Sequence, residues 1–349
     1  MSTLKSASCQ VPSKLILCGE HSVLFGTPAL SMAINLPTTC DIQFTPLDHT
    51  NNSEFFIELP DLRISCRYSY EQWQQELISI EARFEAFNNP ADVNKTAILT
   101  HPAQLILLCM ARISRYQTLA SGQWHIRVTS ENWLGRGMGS SAAVILATLK
   151  AAAKILPLHL KPEQLLKQAT EIESYQHGRS SGLDPATLLA KTVIEFSIPG
   201  HIHPLGLNTL PLSAWLIDTG KPKTSTGACV SHVRDNFGAD KKRWQNFAEV
   251  VKQIKHAWQA HSTEQFVDGI RRNQELLNQI GVVPKNVQQF IKQLNQLELN
   301  ACAKVCGAGA VAGDSAGVVI YFGTKAPNDL CDRMGYKFQP LTLYKSSGE

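Results

Sequence analysis

Apolar positions along this chain follow two periods, and segments of the two kinds alternate. Lys14 to Cys18 (Lys-Leu-Ile-Leu-Cys) is a short apolar run that stops at Gly19 and predicts a buried strand. Ala29 to Ile34 predicts another. Cys40 to Thr45 and Phe55 to Leu59 alternate apolar with polar residues, as half-buried strands do. Tyr70 to Phe87 predicts a largely solvent-facing helix. Ile98 to Tyr116, rich in Leu, Ile, Met and Ala, predicts a more buried one, with Pro102 tolerated in its first turn. Trp124 to Ser130 alternates as a strand, and Ala142 to Ile155 follows as a helix. Pro162 and Glu163 open a further helix that reaches about Tyr175. Later, Leu212 to Asp218 predicts a strand and Gly220 to Gly227 a polar turn. Trp244 to Gln279 predicts two helices broken near Ala260 to Ser262, Val287 to Leu297 a helix, and Gly317 to Phe322 an apolar strand. This mixture carries no fixed-period repeat and predicts an α+β fold over a purely parallel doubly wound sheet. A Pro- and Gly-bearing segment from Pro199 to Pro211 suggests a seam near residue 191, hence domains of 1–190 and 191–349.

Composition narrows the function classes. The 349 residues are 44% hydrophobic, enough to bury two cores, and the 18% of charged residues argues against a largely disordered chain. The net charge of +4 is scattered, with no arginine-rich tract or basic stripe, so no nucleic-acid partner is expected. Apolar patches such as Leu105 to Ala111 are too short to span a bilayer, and the polar stretch Met1 to Gln10 opens no signal core. A cytoplasmic protein without a membrane partner is the expectation. The nine cysteines are odd in number and show no disulfide spacing, so free, mostly buried thiols are expected. Cys302 and Cys306 lack the second close pair a zinc site needs.

The most informative stretch is Gly135-Arg136-Gly137-Met138-Gly139-Ser140-Ser141-Ala142-Ala143, a glycine-rich turn running into a helix. Such a turn gathers backbone N–H groups, and the helix adds unpaired donors and the positive end of its dipole. The combination suits a polyphosphate. It does not match Gly-x-x-x-x-Gly-Lys-Ser/Thr, and the late Gly307-Ala308-Gly309 precedes a strand, unlike a dinucleotide fingerprint. Ser141 can offer a hard oxygen to Mg²⁺ and Glu173 a carboxylate from the next helix. Asp184 follows eleven residues later, beyond a turn. Lys14 beside its apolar strand can offset negative charge on a reacting hydroxyl, and Glu20 and His21 can orient a polar substrate. Each has a plainer explanation: Asp184 as a turn residue before Pro185, Glu173 on a solvated helix face, Lys14 snorkelling, and Glu20 with His21 as a buried hydrogen-bonding pair.

Taken in order, these segments resemble the GHMP small-molecule kinase superfamily, and within it the mevalonate kinase family. The likeness rests on Pro12 to Gly26, on Gly135 to Ala143, and on Glu173, His177, Gly178, Ser181, Gly182 and Asp184. It extends to Asp218-Thr219-Gly220 with Ser225-Thr226, to Asn273 to Leu277 with Gly281-Val282, and to Lys304 to Gly309, covering residues 11 to 322. The resemblance implies an N-terminal ribosomal-S5-like α/β domain and a C-terminal ferredoxin-like domain around a cleft. It implies ATP-dependent phosphorylation of the 5-hydroxyl of mevalonate, with Lys14 and Asp184 catalytic and Ser141 and Glu173 holding Mg²⁺. Arg136, Gly137, Met138, Gly139, Ser140, Ser141 and Ala142, with Gly307, Ala308 and Gly309, would bind ATP. Glu20, His21, His177, Arg179 and Thr226 would line the substrate side. A homodimer is the implied assembly, with a monomer as the alternative.

Four departures bear on these expectations. Ser13 replaces the family's usual Gly, and Arg136 stands where small residues are common. Arg179 and Ser180 replace Asn-Pro ahead of Ser181, and Arg179 offers a group for a substrate carboxylate or phosphate, so phosphomevalonate or a sugar-like alcohol is the alternative substrate. Cys306 replaces Thr or Ser, and Ala310-Val311-Ala312-Gly313-Asp314 replaces a run of glycines, with Asp314 adding negative charge near the phosphate loop. That altered loop is also the only support for a non-catalytic nucleotide-binding protein.

Overall fold

The computed structural model describes residues 4–47, 53–89 and 96–345. The first strands outrun their apolar cores: β1 spans Lys5–Cys18 and β2 spans Ala29–Pro46. β2 fuses two runs that the sequence reads as separate strands. Pro37, which interrupts the pattern, falls between the stretch paired with β6 at residues 29–32 and the stretch paired with β5 at residues 38–46. β3 (Glu54–Leu59) and β4 (Ile64–Ser69) form an antiparallel hairpin. α1 (Tyr70–Asn88) starts on a capping box in which Ser69 and Gln72 each take the other's backbone N–H, at 3.2 and 2.8 Å. It buries only Trp73 and Ile80, matching its polar pattern.

α2 (Ala103–Ser114), β5 (Gly122–Ser130), α3 (Ser140–Ile155), α4 (Pro162–His177) and α5 (Leu183–Ala190) follow. The segment from Pro199 to Pro211, read from its composition as irregular, holds part of a hairpin, β6 (Val193–Ser197) and β7 (His201–Pro204). The hairpin turns at Gly200, whose φ of 111° a side chain would resist. Then come β8 (Ala214–Asp218), α6 (Thr226–Phe237), α7 (Lys241–Gln259), α8 (Thr263–Gln279) and α9 (Lys285–Leu294). The chain closes with β9 (Cys302–Val305), β10 (Val318–Phe322), α10 (Asn328–Met334) and β11 (Lys337–Pro340). Several of these were not anticipated, because strands of four or five residues carry too little periodicity to stand out.

The chain packs as two units, neither of them a continuous stretch. One comprises Met1–Pro12, Leu36–Asn132 and Gly139–Leu189; the other comprises Ser13–Asn35, Trp133–Met138 and Ala190–Glu349. In the first, β4, β3, β5 and the latter part of β2 form a sheet, and α2 and α3 lie in the core. α3 is buried almost all round through Ala142, Ile145, Leu146 and Leu149, and small alanines let its neighbours approach. In the second unit a four-stranded antiparallel sheet runs β11-β8-β10-β9. β10 is its most buried strand, apolar at every position. α8 packs on this sheet, with the Phe266 ring edge-on to Phe322 at 5.1 Å.

All nine cysteines are free, and eight of them are buried. Among the described residues, no helix is long and apolar enough to cross a membrane.

Phe266→Ala should cost about 3–5 kcal/mol of stability in urea unfolding, through lost burial and the cavity left against Phe322. A loss under about 1 kcal/mol would show that this contact does not hold α8 to the sheet.

Candidate active site

In the second unit, the turn after β1 is tied to the segment after β9. Glu20 and Lys304 form a buried ion pair, and Lys304 Nζ also donates to the Val305 carbonyl at 2.5 Å. Lys304 has no accessible surface. Burial alone lowers a lysine's pKa, but the charge of Glu20, with Cys306 and Cys18 nearby, leaves that of Lys304 above its ordinary value. One residue on, His21 Nε2 lies 3.1 Å from the Ala308 carbonyl. The carbonyl can only accept, so Nε2 carries the proton and Nδ1 keeps its lone pair. Nδ1 is buried with no partner among the described residues. Desolvation drops the His21 pKa to about 4, so the ring is neutral at physiological pH. Glu20 and His21 are therefore both buried, as the plainer reading held, but Glu20 bonds to β9 and His21 to the segment after it, not to each other.

Two glycine segments meet in this unit. Gly137 and Gly307 face each other closely: a Cβ built on Gly307 would lie 3.6 Å from the Gly137 Cα. Gly309 has φ of 67°, and a Cβ there would fall 2.1 Å from the Val282 carbonyl oxygen, so this position requires glycine. Met138 accepts a backbone hydrogen bond from Lys14 N–H at 3.1 Å, which docks the glycine-rich turn on β1. The Lys14 side chain is 3% exposed, so it is not a snorkelling surface lysine. Its charge reaches Cys306, whose thiol is nonetheless pushed up to about 11 by burial. Arg136 is engaged within the protein: its Nε donates to Asp218 at 2.7 Å and its Nη1 to the Leu134 carbonyl at 3.2 Å, which leaves Nη2 for a ligand. Asp218 also accepts from Gly220 N–H at 2.8 Å, so one carboxylate fixes both turns. Thr226 is exposed at the first turn of α6, behind the N-cap Ser225.

The first unit holds the remaining candidates. α3 begins after Gly139, a left-handed residue that provides no side-chain cap. Ser140 spends its hydroxyl on Asn132, at 2.9 Å, and not on the helix end. The N–H groups of the first turn thus form a donor set suited to an anion. Ser141 is half-buried and Ala142 fully buried on that same turn. Glu173, on α4, is buried and not on a solvated face, and accepts from the Ser180 hydroxyl at 2.5 Å. Ser180 in turn accepts from Gly182 N–H at 3.1 Å, so it connects the α4 carboxylate to the loop that delivers Asp184 in the first turn of α5. Gly178, with φ of 79°, turns the chain where a Cβ would strike the Phe87 ring at 2.2 Å. Arg179 is exposed on this loop. His177 closes α4, and its side chain lies outside the described residues.

Sequence reasoning missed Lys304, Asn132, Ser180 and Asp218 as supporting groups. Lys304 was visible only as the first residue of a glycine motif, and nothing in its neighbours marks it as the partner of Glu20. Ser180 had a signal, since it stands between two candidate carboxylates.

Among the described residues no cluster of three or more His, Cys, Asp or Glu could hold a metal by protein ligands alone. Mg²⁺ is satisfied by one or two protein oxygens with phosphate and water, so the single carboxylate of Glu173 and the hydroxyl of Ser141 fit that ion better than one demanding a full protein cage.

Comparison with known proteins bears on the family and the fold. Residues 104–191 match the model of the GHMP kinases N terminal domain. The mevalonate kinase of Pyrococcus horikoshii is 30% identical over 256 residues, 73% of this chain and 67% of the relative. That of Thermococcus sibiricus is 27% identical over 318 residues, 85% of each chain. Among solved structures, a mevalonate kinase superposes with a TM-score of 0.78 at 21% identity, covering 97% of this chain and 99% of its own. The L. major mevalonate kinase in complex with R-mevalonate superposes with a TM-score of 0.73 at 17% identity over 100% of both chains. At these identities the structures speak for the fold.

The His21 environment carries a pH signature. Its folded pKa of about 4 lies below the ordinary 6.5, so the unfolded chain takes up a proton that the folded protein refuses. The neutral ring's contribution is complete above pH 6.5 and is lost as pH falls through 4, a difference of about 3 kcal/mol. Denaturant midpoints from pH 7 to pH 4.5 should fall less in His21→Gln than in the wild type. Parallel curves would place His21 in a solvated setting.

Proposed function

The chain belongs to the mevalonate kinase family, and from that premise we propose that it transfers the γ-phosphoryl group of ATP to the 5-hydroxyl of mevalonate. The observation that carries this reading is the start of α3. Gly135, Gly137 and Gly139 take φ values of 72°, 82° and 71°, and the helix that follows leaves its first N–H groups without a side-chain cap. A polyphosphate meets fixed donors there, with no reorganisation needed.

The remaining residues take roles that follow from their chemistry. Gly137, Met138, Gly139, Ser140 and Ala142, with Gly307 to Gly309, shape the nucleotide cradle, and Arg136 supports it through Asp218. Ser141 and Glu173 would hold Mg²⁺, which would neutralise charge on the phosphates. Asp184 orients the hydroxyl and takes its proton as the new P–O bond forms and the bond from the γ-phosphorus to the bridging oxygen of ADP breaks. Lys14 lends positive charge to the transferring group, where catalysis depends on electrostatics more than on early base strength. His21, neutral and with Nδ1 unpartnered, accepts a hydrogen bond from a substrate hydroxyl, and Glu20, His177 and Thr226 complete the substrate side. A second reading, transfer to phosphomevalonate, is favoured by one feature, the exposed Arg179 on the loop before Asp184.

Purified protein with Mg-ATP should release ADP when mevalonate is added, and the product should gain the mass of one phosphoryl group. Turnover with phosphomevalonate alone would replace the first reading with the second. Asp184→Asn should lower kcat by about 10²–10⁴-fold with ATP affinity retained. A folded Asp184→Asn variant with wild-type turnover would remove Asp184 from the chemistry.

A further inference from the structure

We propose that Lys221 and Lys223 form a cationic rim on the second unit's glycine segments and bind the nucleotide's polyphosphate. The inference rests on the phosphotransfer reading above and adds two residues that the motifs leave out.

The turn Gly220-Lys221-Pro222-Lys223 is held in place from several sides. Gly220 N–H bonds to Asp218, the same carboxylate that holds Arg136, and the Gly220 carbonyl accepts from Gly317 N–H at 3.2 Å. Gly220 has φ of 103°, and a Cβ there would lie 2.7 Å from Ser315 Oγ, so the turn fits tightly against the loop before β10. Pro222, with its φ fixed by the ring, packs its Cγ 3.6 Å from where a Cβ on Gly317 would stand.

This anchoring sends the two lysines over two different glycines. A Cβ on Gly135 would lie 3.6 Å from Lys221 Cε, so that stem covers the first glycine of the phosphate turn. A Cβ on Gly313 would lie 3.0 Å from Lys223 Cδ, so that stem covers the loop after Gly309. The absent side chain at Gly313 leaves space in which the Lys223 stem lies. Both lysines are exposed, and among the described residues neither is paired with a carboxylate. Asp218, three residues before Lys221, is bound to Arg136, and Asp314, next to Gly313, is exposed and among the described residues pairs with neither lysine. Two unpaired ammonium groups on a proline-braced turn beside the phosphate cradle match a ligand with several negative charges at close spacing. A solvent-exposed pair gains little from one charge and more from a triphosphate, because each ammonium sums over several.

Isothermal titration of wild type and Lys221→Gln/Lys223→Gln with ATP, inorganic tripolyphosphate and AMP tests this. The double variant should bind ATP and tripolyphosphate about tenfold more weakly and AMP as the wild type does, with the difference shrinking at 0.5 M salt. Lys252→Gln, which removes an exposed charge from α7, should bind as the wild type does. Unchanged ATP affinity in the double variant, or equal losses for ATP and AMP, would overturn the rim. The titrations need no acceptor alcohol. The rim therefore stands if the expected binding pattern appears without mevalonate turnover, and it fails alone if turnover is intact and binding unmoved.

Discussion

The buried pair between Lys304 and Glu20 is the constraint on which the second unit's site depends. A charge with no solvent contact is tolerated only against a partner of opposite sign, and neither side chain could be buried alone. Lys304 sits on the short strand β9, in register with Ile320 of the central strand β10, so its position is set by the sheet. Glu20 sits on the turn after β1. Joining them lays that turn on the glycine segment after β9, and the bond from His21 to Ala308 continues the same seam by four residues. Gly307 and Gly137 then come face to face, and Lys14, through Met138, holds the start of the phosphate turn on β1.

The first unit achieves a comparable result with neutral hydrogen bonds. Asn132 takes the Ser140 hydroxyl, and Ser180 joins Glu173 to the loop that carries Asp184. A hydroxyl both donates and accepts, so one serine can fix a carboxylate and a backbone N–H together. Both units therefore fix their charged groups through ion pairs and hydrogen bonds within the protein itself. This is the form a phosphoryl-transfer site takes when it works by preorganised charge.

Much of this was legible in the chain. The glycine-rich turn, the helix after it and the apolar runs of β1 and β10 appear where the pattern places them, because glycine spacing and continuous apolar runs are local signals. What stayed hidden was long-range. Glu20 and Lys304 are 284 residues apart, and neither has a local reason to be buried. Arg136, which looks from its place in the glycine turn like a phosphate ligand, is committed to Asp218, 82 residues away. β6 and β7 were hidden by the composition of their turn, whose proline and glycine read as the mark of a seam between domains. The joining of two predicted strands into β2 depended on its two stretches pairing with different partners, β6 and β5, which only the sheet defines.

The most direct test of this account is a double-mutant cycle on the buried pair, read by urea unfolding of Lys304→Met, Glu20→Leu and the double variant. Each single change should cost about 3–5 kcal/mol, because it strands the other charge in the interior. The double variant should regain more than half of the summed loss, a coupling well beyond the scatter of independent sites. Additive losses would contradict the account, since they would mean that Lys304 and Glu20 are each solvated in the folded protein and that the turn after β1 is held in place by something else.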